Sequence, residues 1–373
     1  MKRIVLVGGG TGGHFYPLIA VAQHIRAHTE ISNGVELFYA GPDPYDKELL
    51  AQYKIRYIRI PAGKRRRYFS LLNYLDIFKN IYGIFVVIGK LYAVYPDVVF
   101  SKGGFTSVPV TLAAWFLRIP VVVHESDSKA GAANKLAASF ARYIAISFDE
   151  VADAYPAGKT ALTGIPLRVE FLNEFDRPAE RLGVPADRPI IFVTGGSQGA
   201  ERINTLILQS LDELLPFYTI VHQTGTEAAE PTKITAISLI KDEALLSRYF
   251  VMGSLNAHEM NLAESAASLI ISRSGAGSIF EIAHKRKPSI LIPIPEKISH
   301  DQRTNAYAYA RTGAAEVLEE GNMTDGLLTT AISNILNNHV RYTEMSTAAG
   351  AFIRGDAAEK VVAILIEIAN EHA

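Results

Sequence analysis

The 373-residue chain is 49% apolar, carries a formal charge of -1 and contains no cysteine. Its length exceeds what one core usually organises, so two domains are expected, and the near-neutral charge argues against a general nucleic-acid binder. The missing cysteines exclude disulfides, thiolate metal ligands and a cysteine nucleophile, and suit a reducing cytoplasm.

The first ten residues, MKRIVLVGGG, end their apolar run at glycines. They read as a buried first strand at 4–7 rather than a signal peptide. Gly8, Gly9, Gly10, Thr11, Gly12 and Gly13 form a turn with His14 at its end, and a helix is expected over about 17–27 with Pro17 at its start. Gly8, Gly10 and Gly13 fit G-x-G-x-x-G, but the next strand, at 35–40, ends in Gly41-Pro42 where an acidic residue would hold an adenosine ribose. No Gly-Lys-Ser/Thr follows, so the turn is not a P-loop either. What remains is a turn that lets backbone approach a ligand closely, with an imidazole beside it.

Lys64, Arg65, Arg66 and Arg67 precede a stripe of aromatic and aliphatic residues, from Phe69 to Val87, wider than one buried helix face needs. Two readings stand for 64–87: a helix lying in a membrane interface with its cations on anionic headgroups, or a helix packed on the sheet behind a solvated arginine turn. No apolar stretch approaches the roughly 18–20 residues that span a bilayer.

A strand at 97–100 leads to a second glycine turn with Gly103 and Gly104, then a helix carrying Trp115. The strand at 121–124 is followed by Glu125, Ser126, Asp127 and Ser128, and by a helix around 134–142. Strands alternating with helices at this spacing describe a doubly wound α/β domain, whose ligands bind outside the carboxyl ends of the strands. His14, Gly103, Gly104 and Asp127 all fall at such ends.

Gly164 and Pro166 interrupt this rhythm just before Arg168 and read as an interdomain joint. The expected division is 1–163, 164–350 and a C-terminal helix within 351–373, started by Asp356 with Glu359 as a capping box and packing back on the domains. In the second domain a strand at 190–194 opens a third glycine turn, Gly195, Gly196, Ser197, Gln198, Gly199 and Ala200. Short strands at 220–223 and 249–252 follow. The stretch LIISRSGAGSIFEIA at 269–283 reads as a strand, a turn (Arg273, Ser274, Gly275, Ala276, Gly277) and a helix from 278 bearing Glu281. The free N–H groups of such a helix start can hold a diphosphate without a cationic side chain, and a carboxylate within two turns can accept two hydrogen bonds from a ribose diol. The plainer alternative is that Glu281 only complements the helix dipole. A strand at 289–293 then leads to a polar loop over 298–305 with Gln302 and Asn305.

His-Glu-x-x-His, paired cysteines and Asp-x-Asp clusters are absent, so neither a protein-held metal nor another cofactor is expected. Gly-x-Ser-x-Gly is also absent, against a hydrolase elbow. Phosphate-cradling turns, one helix-borne Glu and a few His, Asp and Arg residues at strand ends suit sugar transfer from a nucleoside diphosphate: the leaving group needs backbone donors and the acceptor hydroxyl a base.

As an ordered set over essentially the whole chain, the turn through His14, Gly103-Gly104, His124-Glu125, residues 195–200, residues 272–276 with Glu281, and Gln302 with Asn305 resemble the MurG family. That family adds N-acetylglucosamine to the undecaprenyl-linked muramoyl-pentapeptide of peptidoglycan synthesis. The resemblance implies the GT-B fold, two Rossmann-like domains facing a cleft, with the acceptor on the first, UDP-N-acetylglucosamine on the second, and inversion at the anomeric carbon. It implies that Ser197 and the turn after it, with Gln198 and Gly199, hold the donor diphosphate, Glu281 the uridine ribose and Gln302 the sugar hydroxyls, with Arg273, Ser274, Gly275, Ala276 and Asn305 also binding substrate. Arg168 would lie near the donor, His14 with the backbone of Thr11, Gly12 and Gly13 would face the acceptor, and Gly103, Gly104 and Asn134 would also bind substrate. Segment 64–87 with Trp115 corresponds to the family's membrane-facing patch, which implies a peripheral protein on the cytoplasmic face of the cell membrane.

Asp127 stands where the family often has an amide. A carboxylate there can take a proton from the acceptor hydroxyl, alone or through His14; it can also simply cap the helix that follows. Two other functions fit the same residues: a related GT-B enzyme acting on a different lipid, and a nucleotide-sugar-binding protein without transfer activity.

Overall fold

The computed structural model describes residues 1–61, 72–196, 200–295 and 300–372. It divides into two compact units, Met1–Val169 with Arg354–Ala373, and Glu170–Ile353.

The first unit is built on a parallel seven-stranded sheet of β1 (Lys2–Val7), β2 (Val35–Gly41), β3 (Ile55–Arg59), β4 (Val98–Ser101), β5 (Val121–Glu125), β6 (Tyr143–Ile146) and β7 (Thr160–Leu162), in the order β3-β2-β1-β4-β5-β6-β7. β1 carries the run read as a buried strand, and Ile4 to Val7 are fully buried. A strand covered on both faces has no polar side to alternate with, which is why the sequence shows a run rather than a period of two. Helices α1 (Gly12–Ala27), α2 (Leu72–Val94), α3 (Ser107–Phe116) and α4 (Ala132–Ala138) connect the strands. α1 starts directly on the glycine turn rather than at Pro17, which lies inside it. Pro17 has no N–H to give to the Gly13 carbonyl, yet its fixed φ is helical and the turn tolerates the loss. α4 likewise begins before Asn134 and stops at Ala138.

The second unit carries a parallel six-stranded sheet of β8 (Ile190–Thr194), β9 (Thr219–Gln223), β10 (Tyr249–Met252), β11 (Leu269–Ser272), β12 (Ser289–Leu291) and β13 (Ala315–Val317), ordered β10-β9-β8-β11-β12-β13. α5 (Glu201–Leu214) follows β8, α6 (Ala276–His284) follows β11 and α7 (His300–Ala310) follows β12. α6 takes in Ala276 and Gly277, so the turn after β11 is shorter than the sequence suggested. Residues expected as a polar loop belong largely to α7, whose buried residues Ala306, Ala308 and Tyr309 all lie in its second half.

α8 (Ala357–His372) returns to the first unit. Asp356 caps it, accepting from the N–H groups of Ala358 and Glu359 at 2.8 and 3.1 Å. Val361, Val362, Leu365 and Ile368 are buried in the core that β1, β4 and α1 line.

In each sheet the strand order reverses once, between β1 and β4 and between β8 and β11. In doubly wound sheets the reversal splays the two following connections to opposite faces and opens a crevice at the strands' carboxyl ends. All four glycine turns singled out in the sequence lie at these two places.

Candidate functional site

At the reversal in the first unit, the turn after β1 meets the turn after β4. Gly103 and Gly104 both have φ of +79°, which only glycine adopts without strain, and a Cβ on Gly103 would lie 2.6 Å from Asn134 Oδ1. A Cβ on Gly104 would come within 3.6 Å of His14 Nε2. The close approach of these two turns is what brings His14 over Gly104. His14 is half-buried, and its Nδ1 lies 2.9 Å from Thr11 Oγ1, which orients the ring. Burial, with Lys102 adding to it, pulls its pKa down to about 4. The imidazole is therefore uncharged at neutral pH and able to accept a proton.

The end of β5 is held by a buried polar network. The Glu125 carboxylate accepts from Tyr155 Oη and the Gly131 N–H at 2.8 Å, from Asn134 Nδ2 at 3.0 Å and from the Asp127 N–H at 3.3 Å. These bonds fix the loop that carries Asp127. Asn134 Oδ1 is buried without a hydrogen-bond partner beside Gly103. His124 Nε2 lies 2.8 Å from the Gly164 carbonyl, which can only accept, so Nδ1 carries the lone pair. Lys102 Nζ, 2.8 Å away, donates to it and also to Ser126 Oγ. Asp127 does not cap α4: that helix has Gly131 at its N-cap and no side-chain cap. The Arg168 guanidinium lies 4.1 Å over the Tyr16 ring, in the same unit as His14.

In the second unit, Gly196 takes φ of +86° after β8, and its N–H donates to Thr194 Oγ1 at 3.1 Å. Ser197, Gln198 and Gly199 lie outside the described residues. After β11, Arg273 is committed internally: Nη1 donates to Glu320 at 2.6 Å and to the Ile292 carbonyl at 3.1 Å. Ser274 Oγ is buried and donates to the Gln302 carbonyl at 2.7 Å, tying α7 to the turn. Gln302 Oε1 in turn accepts from the Ile294 N–H at 3.3 Å, and Asn305 is fully buried.

α6 starts at Gly275 with no side-chain cap. Among the described residues, a Cβ on Gly275 or Gly277 would meet nothing within 4 Å, and neither residue takes a positive φ. No described residue of the unit requires these glycines; they leave the N–H groups at the helix start without a side chain over them, where an anion is favoured. Glu281 is half-buried and sits past the first turn of α6. Dipole compensation fades within that turn, so the plainer reading of Glu281 explains little.

The structure thus gathers Thr11, Gly12, Gly13, His14, Gly103, Gly104, Asp127, Asn134 and Arg168 in the first unit, and the β11 turn, Glu281, Gln302 and Asn305 in the second. Sequence reasoning missed Lys102, Glu125 and Tyr155 as site residues. A lysine inside a glycine turn at a strand end was the available signal for Lys102. Nothing flagged Tyr155, which reaches Glu125 from a segment thirty residues downstream. Among the described residues, no cluster of His, Cys, Asp and Glu has the grouping of a metal site.

Residues 4–146 match the glycosyltransferase family 28 N-terminal domain and residues 190–361 its C-terminal domain. A Clostridium kluyveri protein named UDP-N-acetylglucosamine--N-acetylmuramyl-(pentapeptide) pyrophosphoryl-undecaprenol N-acetylglucosamine transferase is 35% identical over 98% of this chain and 99% of its own. The protein of that name from Lachnoclostridium phytofermentans is 34% identical over 99% of each chain. Among solved structures, Acinetobacter baumannii MurG matches with a TM-score of 0.76 and 24% identity over 98% of this chain and 100% of that one. UDP-GlcNAc 2-epimerase from Neisseria meningitidis bound to UDP-GlcNAc matches at 0.68 with 15% identity over 98% and 100%. These two are likenesses of fold. Fold and domain matches define a glycosyltransferase of the GT-B class. Within that class, the near-full-length identities show that the chain belongs to the MurG family of glycosyltransferase family 28.

Proposed function

We propose that the chain transfers N-acetylglucosamine from UDP-N-acetylglucosamine to an undecaprenyl-linked muramoyl-pentapeptide, with inversion, in peptidoglycan synthesis. The observation that carries this is the match along both units to transferases of that name. An acceptor hydroxyl attacks the anomeric carbon, the bond to the diphosphate oxygen breaks, and UDP leaves with the electron pair. The hydroxyl's proton goes to Asp127, directly or by way of His14. The bare start of α6 and the turn after β8 receive the charge growing on the diphosphate. Glu281 holds the ribose, and Gln302 the sugar.

The test is UDP release from UDP-N-acetylglucosamine. Release with a lipid-linked muramoyl-pentapeptide and not with diacylglycerol is the expected result. Release only with diacylglycerol would point to a relative acting on another lipid, and donor binding with no release to a binding protein.

We further propose that the first unit works against the cytoplasmic face of the cell membrane, where the acceptor's lipid would be anchored, in a step that supports cell shape and division. Among the described residues no helix is long and apolar enough to cross a membrane. Phe85 and Tyr92 on α2, both 69% exposed, and Trp115 and Phe116 on the adjoining α3, 58% and 66% exposed, offer aromatic anchors. Residues 64–71, with the arginine run, lie outside the described residues, as do the side chains of 72–82. Each cation at an anionic surface contributes on the order of 1 kcal/mol. Neutralising Arg65, Arg66 and Arg67 together should therefore cut binding to anionic vesicles by about 100-fold in a sedimentation assay. Equal binding to anionic and neutral vesicles would rule out the electrostatic part.

A further inference from the structure

Lys102 is only 2% exposed, so its ammonium is withdrawn from water and from any substrate. Burying such a charge costs stability that an aliphatic side chain in the same place would not. The hydrogen bonds of its Nζ return part of that cost, while the backbone holds the turn independently of the side chain. The Lys102 N–H donates to the Val7 carbonyl at 2.8 Å, fastening the turn after β4 to β1. Its Nζ donates to the neutral His124 ring and to Ser126 Oγ, the residue before Asp127. The charges of Glu125 and Asp127 favour the ammonium, while burial pulls it down to about 7. The same cation adds to burial in lowering the His14 pKa. Thr11, the residue before α1, contacts the His14 ring, and Tyr39 from β2 donates its hydroxyl to the Gly8 carbonyl in the same turn at 3.1 Å.

We propose that Lys102 is a positioning residue for the transfer, tying the turn after β4 to the loop after β5 so that Asp127 and His14 are held about one buried cation. This rests on the reaction given above. The ammonium never meets the acceptor; it acts through the groups it holds. A cation facing an imidazole opposes a second positive charge, so His14 stays a free base down to low pH. At pH 4 to 6, where that matters, Lys102 is itself protonated and the effect is at full strength.

The sign follows directly. Removing the cation must raise the pKa of His14, leaving only burial to hold it below the ordinary imidazole value. The experiment is an NMR titration of the His14 ring, assigned by its loss in His14→Gln, in wild type, Lys102→Met and Lys102→Gln. The expected result is an upward shift of about one pH unit in both variants. Lys102→Met should also lose about tenfold in kcat with an unchanged KM for UDP-N-acetylglucosamine, because the loop after β5 loses its tether. Lys102→Gln keeps donors for His124 and Ser126 and should recover much of that loss while leaving the titration shifted. Unfolding followed by the single tryptophan, Trp115, which lies in this unit, establishes that each variant is folded. An unmoved His14 titration in folded variants overturns the proposal, and so does full turnover in Lys102→Met. A wild-type chain that releases no UDP fails the reading of the reaction instead, and the ring titration still decides on Lys102.

Discussion

Asp127→Asn should lower turnover by about 10²-fold or more while thermal unfolding and the KM for UDP-N-acetylglucosamine stay near wild type. The substitution keeps the shape of the side chain while removing its ability to take a proton; it also removes one of the two charges that favour the Lys102 ammonium, and Glu125 keeps the other. The stability half of the expectation follows from α4, which starts at Gly131 and takes no cap from Asp127. It follows as well from the backbone bond to Glu125, which uses the Asp127 N–H and survives the change. The rate half follows from the reaction: a sugar hydroxyl is a poor nucleophile until its proton is leaving, and a positioned base contributes about 10²–10⁴ in rate. The acidic limb offers a second check. With His14 held at about 4, no loss of activity from its protonation should appear above pH 5. A wild-type rate in Asp127→Asn would remove Asp127 as the base and leave His14, and His14→Gln would then be expected to carry the whole loss.

Glu281→Ala should weaken UDP binding by about 1.5–3 kcal/mol, or roughly 10–150-fold, since hydrogen bonds to a charged group are the stronger kind. Glu281 lies past the first turn of a helix whose opening glycines put no side chain over its first N–H groups, so a nucleotide whose diphosphate sits on the helix start brings its ribose along the same helix. Glu281→Gln keeps one acceptor oxygen and should lose less. Calorimetric titration with UDP alone isolates this step from acceptor and transfer. Undiminished affinity in Glu281→Ala would mean that the ribose is held elsewhere.

Backbone features of the site were legible in the sequence because they need particular residues locally. A buried parallel strand needs a β-branched run, and a turn with positive φ needs glycine; both signals are visible without knowing the fold. That is why β8 and β11 fall where the sequence placed them. Side-chain partnerships were not legible, since Lys102, His124, Glu125 and Tyr155 are brought together by strand order and by segments far apart in the chain. Their spacing carries no period. Helix starts were misjudged for a related reason. Pro17 and Ser278 look like starts locally, but α1 and α6 begin earlier, on glycine turns whose backbone N–H groups stay uncapped by side chains. α7 reads as loop in the sequence because its first half lacks buried apolar residues; Ser274 and the Gln302 backbone hold it instead.

The return of α8 to the first unit sets an order of events during synthesis. Glu170–Ile353 is continuous, so the second unit can close as soon as its own residues have left the ribosome. The first unit cannot. Its sheet is made earliest, yet the core beside β1 and β4 lacks Val361, Val362, Leu365 and Ile368 until much later. Each of those side chains contributes about 1.5–3 kcal/mol on burial. The half of the molecule that begins first is therefore completed last, with an apolar groove open while the other half folds. A fragment ending at residue 353 should show that state as a protease-resistant second unit joined to a readily cleaved first.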